Sequence, residues 1–127
     1  MKSKQKRPKF LNLFQIHLPV TGITSFAHRV SGAFMFLAIP GLIYLFDQSL
    51  RNGEGFAHAV SLLDSIYVKM ICTILAWSIS HHILAGIRFL LMDIDIGEQL
   101  GAAKVSAWIV NFAGVFVFIL IAFKIWL

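Results

Sequence analysis

With 127 residues, 58% of them hydrophobic and 13% charged, the chain is more apolar than a soluble domain, whose apolar share is roughly 45–50%. A soluble fold this small leaves much of its surface in water and has nowhere to hide so much apolar area, which excludes an ordinary globular domain. The mean hydropathy of +0.80 and a net charge of +5 point instead to an integral membrane protein whose charge is gathered in one place.

That place is the N-terminal arm, about residues 1–20, where Lys2, Lys4, Lys6, Arg7 and Lys9 crowd together. A basic tail just before hydrophobic helices reads as a cytoplasmic flank rather than a nucleic-acid arm, because Lys and Arg collect on the inner side of a bilayer. The arm is not a signal peptide. The stretch from Phe10 to Thr21 mixes polar with apolar residues and ends in no small-residue cleavage pattern. No transit peptide is visible, so a bacterial inner membrane, with the N-terminus cytoplasmic, is the expected location.

Three apolar spans follow, at about 23–46, 65–87 and 105–124, each near the ~20 residues that cross ~30 Å of hydrocarbon. The first carries Arg29 near its start and Pro40 within it, where a kink is expected. Between the first two, Asp47 to Asp64 holds Arg51, Asn52, Gly53 and Glu54 and reads as a turn-rich outer linker. The second span has Lys69 near its beginning and His81 and His82 near its end. Its Cys72 is the only cysteine, so no intrachain disulfide forms, and an inert thiol is expected. The inner linker, Arg88 to Lys104, contains Asp93, Asp95, Glu98 and Gly101. The third span is uncharged until Lys124, which can snorkel to the interface. The expected fold is all-α: one multi-pass domain over residues 1–127.

Ionisable groups inside a membrane are costly, so each is a functional candidate. His28, Arg29, His81, His82 and Arg88 are the strongest. His82 shares a helix face with Ser78, Gly86 and Phe89. A nitrogen ligand beside a residue with no side chain lets a flat macrocycle approach, and imidazole is a common axial ligand of haem iron. The alternative is a histidine hydrogen-bonded across a helix interface. His81 is rotated ~100° from His82, toward Trp77 and Arg88, and reads as a helix-contact residue. Ser25, Arg29 and Gly32 align on one side of the first span. There Arg29 and Ser25 can donate to the carbonyls of a quinone, or Arg29 can act as a snorkelling anchor. If Arg29 and Arg88 both mark the inner interface, His82 lies about six residues deeper, or ~9 Å. A haem on His82 could then turn its propionates toward His28 and Arg29, and the depth difference argues against His28 and His82 clamping one iron from opposite sides. No nucleotide loop, paired-cysteine site or serine elbow is present.

Arg7 and Pro8 before the first span, the run Ser25, Phe26, Ala27, His28, Arg29, Val30, Ser31, Gly32 opening it, and His82, Ile83, Leu84, Ala85, Gly86, Ile87, Arg88 with Met92 and Asp93 closing the second resemble a known family. It is the cytochrome b556 membrane-anchor subunit of succinate dehydrogenase, and the resemblance covers nearly the whole chain. It implies half of a membrane bundle that pairs with a second anchor subunit, beside an iron–sulfur subunit and a flavoprotein. It further implies haem b shared between the anchors, with His82 as one axial iron ligand, and ubiquinone as substrate at Ser25 and Arg29. His28 and Arg29 would approach the haem propionates, and no residue of this chain would be catalytic by itself. Where many relatives have a second histidine, this chain has Phe89. Two other readings are a haem-free structural anchor and the equivalent subunit of a fumarate reductase. A small transporter is disfavoured by the lack of paired broken helices and of carboxylates within the spans.

Overall fold

The computed structural model describes residues 17–127, so the cluster from Lys2 to Lys9 and the Arg7–Pro8 step lie outside the described residues. Four helices follow in order: α1 (Val20–Arg51), α2 (Gly53–Asp64), α3 (Ile66–Met92) and α4 (Leu100–Trp126). Among the described residues there is no strand. The 32, 27 and 27 residues of α1, α3 and α4 make three helices long and apolar enough to cross a membrane. At ~1.5 Å per residue each is about 40 Å or longer, so each spans the ~30 Å core and projects beyond it. The helix α1 runs on as one element through Pro40, whose missing N–H leaves the Phe36 carbonyl without its usual donor.

The packing follows from which side chains are small. Ala76, Ala85, Ala103, Ala107 and Gly114 are buried together with Thr24, Ser31, Ser78 and Ser80. The large apolar groups face outward, with Phe36 72% and Tyr67 76% exposed. Lipid tails are as apolar as leucine, so small residues that let backbones approach decide where membrane helices meet. The central helix is α3, which packs against α1 on one side and α4 on the other.

Both linkers differ from expectation. The outer one is not a turn-rich coil: α1 continues to Arg51, and α2 occupies Gly53–Asp64. Asn52 caps α2 by accepting a 2.8 Å bond from the Gly55 N–H. Gly55 lies so close to α1 that a Cβ there would stand 2.5 Å from the Gln48 carbonyl oxygen. Lys69, at the start of α3, pairs with Asp64 at 2.5 Å. That hydrogen bond first, and the Lys69 charge second, hold the Asp64 carboxyl below its ordinary range.

The inner linker is shorter than the expected Arg88–Lys104. Helix α3 continues to Met92 and closes in a Schellman turn, with Ile96 N–H donating to Leu91 O (2.9 Å) and Asp95 N–H to Met92 O (3.1 Å). Asp95 occupies the left-handed position of this turn, with φ 61°. At the outer end, Trp126 Nε1 donates to Thr73 Oγ1 (2.9 Å) and pins the end of α4 to α3.

Candidate functional site

Two four-residue steps, His28 to Gly32 on α1 and His82 to Gly86 on α3, face one another. The helices are antiparallel here. His82 lies against Gly32, where a Cβ would stand 3.0 Å from His82 Cε1, and His28 lies against Gly86, where a Cβ would stand 3.5 Å from His28 Nε2. The two imidazoles stack with centroids 4.0 Å apart and planes 12° from parallel. The Phe89 ring meets His28 edge-on at 5.2 Å. Gly86 does leave room beside His82, as its spacing suggests, but the room is taken by the His28 ring.

The hydrogen bonds of His82 settle its proton. Its Nδ1 stands 3.1 Å from the His28 carbonyl oxygen and 3.1 Å from Ser31 Oγ. Ser31 donates its own proton to the same carbonyl at 2.8 Å. A carbonyl only accepts, so Nδ1 carries the hydrogen and a neutral His82 keeps the lone pair on Nε2. Nε2 has no hydrogen bond and is not among the sealed polar atoms. A neighbouring carbonyl on one ring nitrogen, with the other left bare, is how proteins hold an imidazole for a metal.

The stack corrects the depth argument. His28 and His82 are level, because Arg88 does not mark the same interface as Arg29. Arg88 turns inward toward α4, only 5% exposed, with Nε donating to Ser106 Oγ (2.9 Å) and Nη2 to the Ala103 carbonyl (3.0 Å). Arg29 is exposed and Ser25 half-buried, whereas Gly32 faces α3, so the three do not share one surface. That His28 and His82 do not clamp one iron still follows, for another reason: rings stacked face to face at 4.0 Å cannot bind one metal from opposite sides.

His81 is the helix-contact residue its position suggests. It stacks on Trp77 at 5.8 Å and packs against Gly114 of α4. It is 4% exposed, and its Nε2 is sealed without a hydrogen-bond partner. Sequence reasoning missed how much α4 contributes. The buried Thr24 hydroxyl lies 3.1 Å from Asn111 Oδ1 and 3.0 Å from the Val20 carbonyl, sharing one proton between two acceptors. Asn111, the only amide within the third span, was the signal available. Among the described residues no three His, Cys, Asp or Glu side chains gather into a metal-holding group.

The model of the succinate dehydrogenase/fumarate reductase transmembrane subunit family matches residues 3–122. The chain belongs to this family. The succinate dehydrogenase cytochrome b556 subunit of Coxiella burnetii is 33% identical to it over 122 residues, covering 95% of this chain and 98% of that protein. The subunit of the same name from Rickettsia bellii is 30% identical over 91% of this chain and 90% of its own length, and that from Paracoccus denitrificans 27% identical over 83% and 81%. Membership in the succinate dehydrogenase/fumarate reductase transmembrane family agrees with the three spans and assigns the chain a membrane-anchor role.

Proposed function

We propose that this subunit anchors a succinate:quinone oxidoreductase in a bacterial inner membrane, with its N-terminus cytoplasmic, and that it supplies one axial ligand to haem b and part of a ubiquinone pocket. The observation that carries the reading is the fixed Nδ1–H tautomer of His82 beside a bare Nε2. The residues fit a haem in that respect. A porphyrin brings four nitrogens of its own, so one imidazole from this chain and one from a second anchor subunit complete the iron's coordination. When bound, the haem supplies a one-electron store. The second anchor, the iron–sulfur subunit that delivers electrons and the flavoprotein that oxidises succinate are the partners this reading requires.

What this chain's residues do is more specific. The His28 carbonyl and Ser31 hold the His82 ring, and the His28 ring keeps it from swinging over Gly86. Arg29 and Ser25, one helical turn apart on α1, present N–H and O–H donors near its N-terminal end. Arg29 polarises a quinone carbonyl, and Ser25 orients the ring and assists its protonation. The guanidinium of Arg29 and the imidazole of His28 also stand ready for haem propionates.

A dithionite-reduced visible spectrum of the purified complex, wild type against His82→Ala, tests the ligand. The b-type α-band is expected to be lost or shifted in the variant, and an unchanged band sinks the assignment. A wild-type complex without the band makes the subunit a haem-free structural anchor. For the pocket, Arg29→Ala and Ser25→Ala are expected to lower quinone reduction while the complex assembles. Unaltered rates in assembled variants remove both residues from the site.

A further inference from the structure

Arg88 is the only Lys or Arg that is buried among the described residues, and it has no counter-charge within the chain. Its bonds go to a hydroxyl and a carbonyl. The only ion pairs among the described residues are Arg51–Asp47 and Lys69–Asp64, and residues 1–16 contain no Asp or Glu. A guanidinium stays protonated under all ordinary conditions and carries five N–H donors. Nη1 is absent from the sealed, unpartnered atoms, so it retains contact with the exterior.

The exterior it meets is apolar. Arg88 and Ser106 sit in a groove of about 320 Å³ between α3 and α4, walled by Leu84, Ile87, Leu91 and Ile109 and rimmed by Ile96 and Gly97 of the inner loop. Leu84, Ile87 and Leu91 lie roughly 140–200° around α3 from His82 at ~100° per residue. The groove therefore opens away from α1 and the histidine stack. Ile87 is 53% and Ile109 62% exposed, so its flanks face the surroundings of the bundle.

We propose that this groove binds an anionic phospholipid, whose phosphate accepts from Arg88 Nη1 while its acyl chains lie along Leu84, Ile87 and Ile109. The charge demands an anion, and a cation in so apolar a setting attracts one far more strongly than it would in water. The walls favour an anion with hydrocarbon attached over a hydrated free one. The loop at the rim places the headgroup at the membrane surface, where basic pockets between spanning helices hold anionic headgroups.

The test is lipid titration of the assembled, delipidated complex by native mass spectrometry, with phosphatidylglycerol against phosphatidylcholine. One phosphatidylglycerol is expected to bind this site about tenfold or more tighter than phosphatidylcholine, a difference of ~1.4 kcal/mol. Arg88→Gln abolishes the preference. Because that variant also loses a helix contact, Ile109→Trp serves beside it: it keeps the arginine, fills the groove and is expected to lose the lipid as well. Equal binding of both lipids, retention of the preference in Ile109→Trp, or displacement of the lipid by millimolar inorganic phosphate each overturns the proposal. Failure of the assembled complex to bind phosphatidylglycerol overturns it too, since a partner then covers the groove.

Discussion

The imidazole of His28 lies flat on that of His82, and each ring rests over the glycine four residues along the other's helix. The two glycines are not equivalent. At Gly32 an added Cβ would stand 3.0 Å from His82 Cε1, tighter than ordinary contact, whereas at Gly86 the distance to His28 Nε2 is 3.5 Å and ordinary. Overpacking a tight site costs about 1–3 kcal/mol. Gly32→Ala is thus expected to lower the thermal stability of the complex by that order and to disturb the His82 bond to the His28 carbonyl. Gly86→Ala is expected to be neutral or to gain up to ~1 kcal/mol from helix propensity. Melting curves of the two variants check the opposite signs.

Thr24 and Asn111 join α1 to α4 across a buried hydroxyl–amide contact. Thr24→Val keeps the shape but strands the amide, at an expected cost of about 0.6–2 kcal/mol by the measured range for hydrogen bonds between membrane helices. Thr24→Ser restores most of it. Denaturation of both variants in mixed micelles measures the difference, and equal midpoints would remove this contact from the account.

Asp95 closes α3 in a conformation that suits glycine better, with φ 61°. An L-residue there carries about 1–2 kcal/mol of steric penalty, eased for aspartate. Asp95→Gly is expected to stabilise the chain by roughly 1 kcal/mol or less and Asp95→Val to destabilise it. Thermal midpoints in one detergent read both.

At Gly55 the obstacle to a side chain is backbone: the Gln48 carbonyl oxygen, 2.5 Å from where a Cβ would sit. Backbone inside a helix yields little, so Gly55→Ala is expected to lift α2 off α1. Faster amide hydrogen exchange over residues 53–64, with α3 and α4 unchanged, is the signature. Unaltered protection of α2 contradicts the contact.

The spans were legible because lipid imposes a length and an apolarity that few residues violate. Helix α2 was not. Asn52, Gly53 and Gly55 read as turn chemistry, and they do serve a cap and a close approach, but to a helix whose Ala59 is buried in the bundle. His82 stood out through its glycine, yet spacing on one helix cannot name what fills the gap from another, and His28 fills it. The depth argument failed on Arg88, because a buried arginine that bonds to Ser106 and Ala103 obeys its neighbours rather than the interface. Asn111 and Ser106 were overlooked because uncharged polar residues scarcely interrupt a hydropathy profile.

Every contact that sets the His82 ring comes from α1: the His28 carbonyl and ring, Ser31 and Gly32. Helix α4 works on other groups, namely Thr24, His81 and Arg88. During synthesis, then, the ring can reach its final setting as soon as α1 and α3 have entered the bilayer as a hairpin, while the ribosome is still making the third span.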